Sequence, residues 1–345
     1  MKKIKVAING FGRIGRSFFK VASKREEIEI VAVNDLGDPE NLAYLLKYDT
    51  AQGRSGLDVH VSDDKGKLIV DAREISFLSI KNPAELPWRD LNIDIALEST
   101  GFFASFEKSR AHLKAGAKRV VVSAPVKDEP PEGVVGATVL MGINEDKLEN
   151  CDISSNASCT TNAGSPLVQI LKESIGVEKA LLNTVHGYTS TQSIVDSTHN
   201  KDFRKGRAAA QNIIPSTTGA ATSTTKAIEG LDGKFDGIAV RVPVIAGSLV
   251  DVTFLAGRET SVDEVNNILR SAAREDRWND VFTVTDEPIV SSDIIGSSYA
   301  SIADLSFTRV VGGNLVKVLA WYDNEMGYAH TLVLHVIKSG SYITA

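Results

Sequence analysis

The stretch Ile4-Lys-Val-Ala-Ile-Asn-Gly-Phe-Gly-Arg-Ile-Gly15 decides the fold of this chain. Residues 4–8 form a short apolar run typical of a buried strand, and the pattern Gly-x-Gly-x-x-Gly follows it directly. Apolar residues at helical spacing come next, and a second apolar run covers residues 28–33. This order of strand, glycine turn, helix and strand predicts an α/β fold that begins with a Rossmann-type, doubly wound parallel sheet.

The three glycines of the pattern have separate tasks in a dinucleotide site. Gly10 permits a tight turn, Gly12 lets a pyrophosphate approach the backbone, and Gly15 lets the helix close on the sheet. The pyrophosphate is expected on the N–H groups near Arg13 and Ile14, at the start of the helix. The alternative is a glycine-rich turn that packs closely for structural reasons alone.

Polar residues at the ends of the predicted strands extend this site. Asp35, at the end of the second strand, is placed to accept hydrogen bonds from an adenosine ribose. Residues 93–97 and 119–123 read as further strands, the first of which runs into Glu98-Ser-Thr-Gly101 and the second into Ala124-Pro125. Small polar residues are expected where the carboxyl ends of parallel strands face a ligand crevice.

Composition narrows the class of protein. A chain of 345 residues suggests about two domains, and 43% apolar residues are ample for their cores. A net charge of −6 argues against nucleic acid or an anionic membrane as the main partner. Two cysteines make no disulfide framework, and no apolar run approaches the ~18 residues of a membrane span. We therefore expect a soluble protein of the reducing cytoplasm, with no leader peptide and no metal site.

The second half of the chain differs from the first. β-type runs cover residues 180–185, 237–242, 249–256 and 314–322, which predicts an α+β domain with a mostly antiparallel or mixed sheet. Residues 187–211 show no period and are long for a structureless loop, so we expect a functional or interface element. The predicted domains are residues 1–158 and 159–325, with a C-terminal helix in 326–345 that packs back on the first.

Cys159 has an unusual neighbourhood for a cysteine. It lies in Ser154-Ser-Asn-Ala-Ser-Cys-Thr-Thr-Asn162, among hydroxyls and amides, and a helical pattern follows. A helix N-terminus presents unpaired N–H groups and a positive dipole end, which favour a thiolate. The sequence therefore predicts a reactive cysteine, and the alternative is a buried, inert one beside a polar turn.

His186 is the best candidate for the base that such a thiol needs. It ends the apolar run 180–185 and opens a polar turn, where side chains meet at the mouth of a sheet. A histidine there can equally be a capping hydrogen-bond partner. The other histidines are placed in a hairpin strand, on a helix rich in surface charge, in the 187–211 loop and in the last helix: His60, His112, His199, His330 and His335.

Six motifs, in one order, make the chain resemble the family of phosphorylating glyceraldehyde-3-phosphate dehydrogenases along essentially its whole length. They are Asn9-Gly-Phe-Gly-Arg-Ile-Gly-Arg16, Ser155-Asn-Ala-Ser-Cys-Thr-Thr-Asn162, His186-Gly-Tyr-Thr189, Gln211-Asn-Ile-Ile-Pro215 with Thr218-Gly-Ala-Ala221, Arg241-Val-Pro243 and Trp321-Tyr-Asp-Asn-Glu325.

The resemblance implies oxidation of D-glyceraldehyde 3-phosphate to 1,3-bisphosphoglycerate, with NAD(P)+ and inorganic phosphate as partners of the reaction. It also implies a homotetramer with residues 187–211 at a subunit interface. Cys159 would attack the aldehyde, His186 would take the proton as hydride leaves, and phosphate would displace the resulting thioester.

A comparison of two rate gains, one from ionising the thiol and one from general-base catalysis, favours proton transfer as the main task of His186. Lowering a thiol pKa from ~8.5 to ~6 raises the thiolate fraction at pH 7 roughly 30-fold, but falling nucleophilicity removes roughly 13-fold. The net gain is only about twofold, whereas a positioned general base is worth ~10²–10⁴-fold. We therefore expect His186 to act chiefly as the proton acceptor.

The resemblance also assigns binding residues. Inorganic phosphate would contact Ser158, Thr160, Thr218 and Gly219, and the phosphate of the substrate would contact Thr189 and Arg241. Arg204 and Lys205 could add charge to either pocket, whereas Arg207 is expected to be a solvated surface cation. The cofactor would contact the residues of the glycine turn, the strand ends and the 187–211 loop: Asn9, Gly10, Phe11, Gly12, Arg13, Ile14, Gly15, Asp35, Lys81, Thr100, Ser123, Ser197, Thr198, Asn324 and Tyr328.

The chain departs from the family pattern at three places. Ala163 replaces the second cysteine that many members carry four residues after the nucleophile, and Lys81 stands where an arginine is more usual. Ser197-Thr198 replaces the Leu-Pro of NAD-restricted members, so we expect NAD to be preferred with measurable NADP use. Two alternatives remain open: an erythrose-4-phosphate dehydrogenase, and a non-catalytic nucleotide-binding redox sensor that uses Cys159.

Overall fold

The computed structural model describes residues 2–200 and 202–343. The chain forms two units, one of residues up to Ala157 together with those from Leu332 on, and one of Ser158–Thr331. Among the described residues, no helix combines the length and apolar character that a membrane span requires.

The first unit is built on a nine-stranded sheet with helices. Its strands are β1 (Ile4–Asn9), β2 (Ile28–Asn34), β5 (Val59–Val61), β6 (Lys67–Val70), β7 (Arg73–Leu78), β8 (Ile95–Glu98), β9 (Arg119–Val122), β10 (Gly136–Thr138) and β11 (Ile153–Ser155), and β3 (Tyr48–Asp49) and β4 (Gly53–Arg54) form a separate ribbon. Its first three helices are α1 (Arg13–Ala22), α2 (Pro39–Lys47) and α3 (Phe106–Lys114).

The strand order in this sheet is β10-β11-β9-β8-β1-β2-β7-β6-β5. All pairs from β10 to β7 are parallel, and β6 and β5 add an antiparallel hairpin at one edge. The order reverses at β1, so the carboxyl ends of β1, β2 and β8 meet at the glycine turn. The prediction of a doubly wound parallel sheet is therefore confirmed.

The glycine turn is held by close packing at its two ends. Gly10 has φ +97°, and a Cβ there would lie 2.6 Å from backbone atoms of Ser99 and Thr100. A Cβ at Gly15 would lie 2.1 Å from the Gly10 carbonyl oxygen. Only glycine fits either position without a backbone shift, so α1 approaches β1 more closely than any side chain would allow.

A chain of buried hydrogen bonds fixes the strand ends beside this turn. The Asn34 amide donates to Asn9 Oδ1 (2.7 Å), and the Asn9 amide donates to Glu98 Oε2 (2.6 Å). The same Glu98 oxygen lies 3.1 Å from His112 Nε2, and Trp88 Nε1 donates to His112 Nδ1 (3.0 Å). His112 is fully buried. His112 therefore lies on the expected helix, and α3 turns it toward the sheet together with Phe106 and Ser109.

The second unit contains a seven-stranded mixed sheet in the order β13-β14-β12-β15-β18-β17-β16. Its strands are β12 (Lys179–Gly187), β13 (Ile214–Thr217), β14 (Phe235–Val242), β15 (Ser248–Leu255), β16 (Phe282–Thr285), β17 (Ser301–Val311) and β18 (Leu315–Tyr322), and its helices are α4 (Cys159–Ile175), α5 (Ala220–Ala227) and α6 (Val262–Ala272). Only β12–β14 and β16–β17 are parallel pairs.

One face of this sheet carries α4. Gly164 of α4 lies against the Leu182 side chain, which a Cβ at Gly164 would approach to 2.8 Å. The neighbouring Leu181 points to the opposite face and is 67% exposed, as is Ile238 on β14 at 55%. Because successive side chains of a strand alternate between faces, α4 covers one face and the other is apolar and open in the single chain.

The last helix, α7, runs from Met326 to Ser341. From Leu332 on, it belongs to the first unit. There Gly340 lies against the Ile4 side chain, and the Ser339 carbonyl accepts a hydrogen bond from Arg119 (3.1 Å). His335 is fully buried between Ser154, 2.7 Å from its Nε2, and Asn156, 3.1 Å from its Nδ1.

Candidate active site

The Cys159 thiol lies at the first residue of α4. Ser158 caps this helix, since its hydroxyl oxygen accepts a hydrogen bond from the Thr161 N–H (3.1 Å). The Cys159 Sγ lies 3.4 Å from Nε2 of His186. A sulfur and an imidazole nitrogen at this distance are within hydrogen-bonding reach, so the two residues can exchange a proton.

His186 lies near the end of β12, directly across from Arg241 on the parallel strand β14. Its Nδ1 is 2.6 Å from the Gly187 carbonyl oxygen and 2.6 Å from Nη1 of Arg241. The same Arg241 nitrogen donates to the Gly187 oxygen at 3.0 Å. The strand register therefore brings a cation onto the far side of the ring from the thiol.

Both reactive groups have pKa values that favour their neutral forms. Burial and, to a smaller extent, the neighbouring charge of Arg241 together lower the pKa of His186 to about 3. Burial raises the pKa of the Cys159 thiol, while Arg241 and hydrogen bonds from Thr160 act against that rise. The effect of the helix N-terminus on the thiol is thus opposed by burial.

Tyr322, at the end of β18, forms the floor beneath this pair. Its buried hydroxyl lies 2.9 Å from Thr160 Oγ1 and 2.7 Å from Thr184 Oγ1, and burial raises its pKa. Its ring meets the His186 ring edge to face, with centroids 5.9 Å apart. Sequence reasoning missed Tyr322 and Thr184, although Thr184 precedes His186 by two residues and therefore shares its face of β12.

The residues expected to bind anions lie on two helix starts and one turn. Thr218 and Gly219 precede α5, where the Thr218 hydroxyl accepts a hydrogen bond from the Ala220 N–H (3.2 Å). Thr189 follows β12 and is partly exposed, with its hydroxyl 2.9 Å from Thr191 Oγ1. The Thr160 hydroxyl is engaged by Tyr322 in a buried position, which leaves its backbone as the part suited to an anion.

The 187–211 loop has its own structure. Phe203–Gly206 forms a 3₁₀ turn, and the Ser197 N–H donates a backbone hydrogen bond to the Gly206 carbonyl oxygen (2.8 Å). Arg204 makes two side-chain hydrogen bonds to Asp202, so its charge is already paired within the loop. Ser197 and Thr198 are exposed, Lys205 is partly exposed, and Arg207 pairs with Asp196, as a surface cation would.

The expected nucleotide residues surround the glycine turn in the first unit. Asp35 accepts hydrogen bonds from the N–H groups of Phe11 (2.6 Å) and Gly37 (2.8 Å), which orients its carboxylate beside the turn. The Arg13 side chain pairs with Asp49 at 3.0 Å, so the backbone N–H is its group suited to a phosphate. A Cβ at Gly12 would meet no atom within 4 Å. This open cradle fits a pyrophosphate.

The remaining expected nucleotide residues have separate surroundings. Thr100 donates its N–H to Glu98 (2.8 Å), Ser123 donates to Ser99 (3.0 Å), and Lys81 is exposed. In the second unit, Asn324 Oδ1 accepts from Gly247 N (3.1 Å) and Ser248 Oγ (3.0 Å), which leaves its amide nitrogen as the group suited to a ligand. Tyr328 is buried in α7.

The second cysteine has a structural position. Cys151 is buried, its Sγ lies 3.2 Å from the Ile153 carbonyl oxygen, and burial raises its pKa to about 11. Both cysteines are free thiols. Across residues 2–200 and 202–343, no group of three His, Cys, Asp or Glu side chains is arranged to hold a metal ion.

Comparisons with known proteins agree over both units. The model of the glyceraldehyde 3-phosphate dehydrogenase NAD binding domain matches residues 4–106, and that of the C-terminal domain matches residues 158–324. Proteins named glyceraldehyde-3-phosphate dehydrogenase are similar throughout. That of Streptomyces coelicolor is 47% identical over 333 residues, 96% of each chain, and that of Geobacillus stearothermophilus is 45% identical over 332 residues, also 96% of each. That of Thermotoga maritima is 47% identical over 332 residues, 95% of this chain and 97% of its own.

Proposed function

Because this chain belongs to the glyceraldehyde-3-phosphate dehydrogenase family, we propose that Cys159 and His186 are the catalytic pair of an NAD-dependent oxidoreductase that acts on an aldehyde. The reaction is the phosphorylating oxidation of D-glyceraldehyde 3-phosphate to 1,3-bisphosphoglycerate. The observation that carries the assignment is the 3.4 Å separation of the Cys159 sulfur and His186 Nε2 at the start of α4.

The chemistry assigns separate steps to the two residues. The Cys159 sulfur attacks the aldehyde carbon as its proton passes to His186 Nε2, and the new oxyanion lies near the Cys159 backbone N–H at the first residue of a helix. His186 returns this proton to the oxyanion, which gives the hydroxyl of a thiohemiacetal. Bound NAD+ supplies the acceptor for the hydride that leaves this carbon. His186 Nε2 takes the hydroxyl proton in the same step, which leaves a thioester on Cys159. Phosphate then displaces the acyl group and frees the thiol.

Two anion sites serve the substrates. We assign the phosphate of the sugar to Arg241 and Thr189, because the guanidinium of Arg241 is a fork of donors beside the catalytic histidine. We assign inorganic phosphate to Ser158, Thr218, Gly219 and the backbone of Thr160, which lie at the starts of two helices. The pairing of Arg204 with Asp202 favours a structural task for Arg204 within its loop.

The cofactor is NAD, and the first unit is its binding domain. We assign its pyrophosphate to the N–H groups at the start of α1, over Gly12, and its adenosine ribose to Asp35. The charge of Asp35 disfavours a 2′-phosphate, so NAD is preferred over NADP. The small hydroxyl residues Ser197 and Thr198 are the feature that supports measurable NADP use. Asn324 offers its amide nitrogen to the nicotinamide carboxamide.

Exposed apolar side chains in the second unit support an assembly of several subunits. Ile194, Val195 and Phe203 are each more than two-thirds exposed in the 187–211 loop of the single chain. Several large apolar side chains exposed in one loop are typical of a protein interface. We therefore propose a homotetramer with this loop at a subunit contact, working in the cytoplasm.

One set of assays tests this function. Enzyme mixed with D-glyceraldehyde 3-phosphate and NAD+, without phosphate, should give a stoichiometric burst of NADH and an acyl adduct on Cys159 by mass spectrometry. Adding phosphate should release 1,3-bisphosphoglycerate and restore turnover, and the same assays with NADP+ give the cofactor ratio.

Two other results would contradict the proposal. Rapid turnover of erythrose 4-phosphate by hydrolysis, with no dependence on phosphate, would indicate an erythrose-4-phosphate dehydrogenase. An unmodified Cys159 without any burst of NADH would indicate a non-catalytic protein that binds nucleotide, such as a redox sensor.

A further inference from the structure

Two groups compete for the same nitrogen of His186. Nδ1 lies 2.6 Å from the Gly187 carbonyl oxygen, which can only accept a hydrogen bond. It also lies 2.6 Å from Nη1 of Arg241, which can only donate one. A nitrogen of the neutral ring is either a donor or an acceptor, so only one of these two contacts can be a hydrogen bond at a time.

The choice of partner at Nδ1 determines what Nε2 can do to Cys159. When Arg241 donates to Nδ1, the proton of the neutral ring lies on Nε2, which can then donate to the sulfur but cannot accept a proton. When Nδ1 instead donates to Gly187, Nε2 carries a lone pair toward Cys159 and is a proton acceptor. Only the second arrangement gives a general base.

We propose that Arg241 is a gate on the base: it holds His186 in the inactive tautomer until the phosphate group of the substrate draws its guanidinium away from Nδ1. The inference rests on the proposed function of Cys159, His186 and Arg241 and adds a task to Arg241 beyond binding. In the change of tautomer, the ring gives its Nε2 proton to solvent water and takes one from water at Nδ1, so its net charge is unchanged.

Geometry makes Arg241 suited to this exchange. It lies directly across from His186 in the β12–β14 register, and its side chain is partly exposed, so a ligand can reach it. A phosphate dianion offers charge-assisted, bidentate hydrogen bonds, which are stronger than a bond to a neutral ring nitrogen. Gly187 provides the return partner, since its oxygen is already 2.6 Å from Nδ1.

The electrostatics act in the same direction. The charge of Arg241 lowers the pKa of His186 beyond the effect of burial. Pairing this charge with a phosphate dianion removes that influence, so the ring becomes a stronger base as it takes up the active tautomer. The gate therefore discriminates between aldehydes by their charge: a phosphorylated aldehyde opens it, and an uncharged aldehyde does not.

A substrate divided into two pieces tests the gate. The rate of the NADH burst is measured in single turnovers with D-glyceraldehyde, which lacks the phosphate, with and without phosphite as the separate anion. We take at most about a tenth of the wild-type enzyme to have His186 in the active tautomer without phosphite. Phosphite should then accelerate the burst roughly tenfold or more. Arg241→Met should show no acceleration by phosphite.

The decisive comparison is between the two proteins without phosphite. Because Arg241 also lowers the pKa of the thiol, each burst rate is divided by the alkylation rate of Cys159 with iodoacetamide. This ratio should be roughly tenfold higher in Arg241→Met than in the wild type. If Arg241 served only to bind phosphate, the ratio would not change, and that result would overturn the gate. Arg258→Met, which removes an exposed arginine paired with Glu264, is the matched control.

A direct measurement of the tautomer covers the case in which Arg241→Met does not fold. ¹⁵N NMR of histidine-labelled wild-type protein, with the His186 signal assigned from a His186→Asn variant, should show Nδ1 unprotonated alone and protonated with glycerol 3-phosphate. A protonated Nδ1 without ligand would refute the gate. Failure of the proposed function would look different, since wild-type protein would then give no burst even with glyceraldehyde 3-phosphate.

Discussion

At the scale of single residues, Cys159 and His186 work from neutral forms. Burial raises the pKa of the thiol and lowers that of the imidazole to about 3. A resting thiolate–imidazolium pair is therefore disfavoured, and the proton of the thiol must leave as the sulfur attacks. Most of the rate enhancement by this pair is therefore expected from proton transfer to His186 and not from a thiolate formed in advance.

Substitution of His186 tests that division of labour. His186→Asn keeps a polar side chain of similar size but removes the proton acceptor, so hydride transfer should fall by ~10²–10⁴-fold. Alkylation of Cys159 by iodoacetamide should change by a much smaller factor. Stopped-flow NADH formation and alkylation kinetics measure the two effects. Equal losses in both assays would show that His186 acts mainly by ionising the thiol.

Sequence reasoning separated His186 from the other histidines by its position, but it did not foresee the burial of His112. His186 lies beside Cys159 as expected, because a histidine at a strand end is close to the mouth of its sheet. His112 lies on the expected helix, but its burial was not foreseen, because the charged residues around it concealed the inward-facing side of that helix. Its partners Glu98 and Trp88 are 14 and 24 residues away, and such contacts have no local signal.

At the scale of elements, the three glycines of the β1–α1 turn differ in what they do: Gly10 and Gly15 permit the fold of the turn, whereas Gly12 leaves room for a ligand. Gly10→Ala would place an alanine at a φ of +97°, with its Cβ 2.6 Å from the Ser99 backbone. Gly15→Ala would place a Cβ 2.1 Å from the Gly10 carbonyl oxygen. Each should lower the free energy of unfolding by about 2 kcal/mol or more.

Gly12→Ala is the matched counterpart in that series. The space around a Cβ at Gly12 is open, so stability should change little while the Kd for NAD+ rises, because the methyl group occupies the place of the pyrophosphate. Urea unfolding and isothermal titration calorimetry measure the two quantities. If Gly12→Ala bound NAD+ with unchanged affinity, the cradle would lie elsewhere.

The contact of α7 with β11 makes a second prediction, for the pH dependence of stability. His335 is fully buried, and burial lowers its pKa to about 3. The unfolded chain binds a proton at this residue below about pH 6.5, whereas the folded chain does so only near pH 3. Stability should therefore fall as pH drops from 6.5 toward 3, by up to about 1.4 kcal/mol per pH unit for this histidine.

Variants identify the residue responsible for that slope. His335→Gln removes the titrating ring, so its urea midpoint should depend less steeply on pH between 6.5 and 4.5 than that of the wild type. The exposed His60, replaced in His60→Gln, provides the control and should leave the slope unchanged. A His335→Gln slope equal to that of the wild type would assign the effect to other groups, of which the buried His186 is the first candidate.

At the scale of the whole molecule, exposed apolar side chains predict association. Ile194→Glu combined with Phe203→Glu places charges on these exposed apolar positions and should convert the proposed tetramer to smaller species in analytical ultracentrifugation. Val135→Glu, at a 53% exposed valine of the first unit, is the control and should leave the mass unchanged. A double variant that kept the mass of the wild type would remove this loop from the interface.

The sequence by itself determined the parts of this protein that depend on local pattern. Glycine spacing after a strand predicted the nucleotide turn, and period-two and period-3.6 runs predicted most strands and the helices at Cys159 and Met326. β3, β4, β7, β10, β11, β13, β16 and β17 were missed. Strands of two to four residues carry too little periodicity to be identified, and β7 gains its identity from its pairing with β2 and β6. β17, though eleven residues long, has mixed polarity and gains its identity from β18.

Only the tertiary structure decided the arrangement of the reactive groups. The register of β12 and β14 puts Arg241 against His186, 55 residues earlier in the chain, and Tyr322 reaches Thr160 from 162 residues away. These distances depend on strand pairing and side-chain packing, which no short stretch of sequence encodes. The motifs name the chemical groups, and the fold decides which atom of each group meets which partner, because hydrogen bonding acts over about 3 Å.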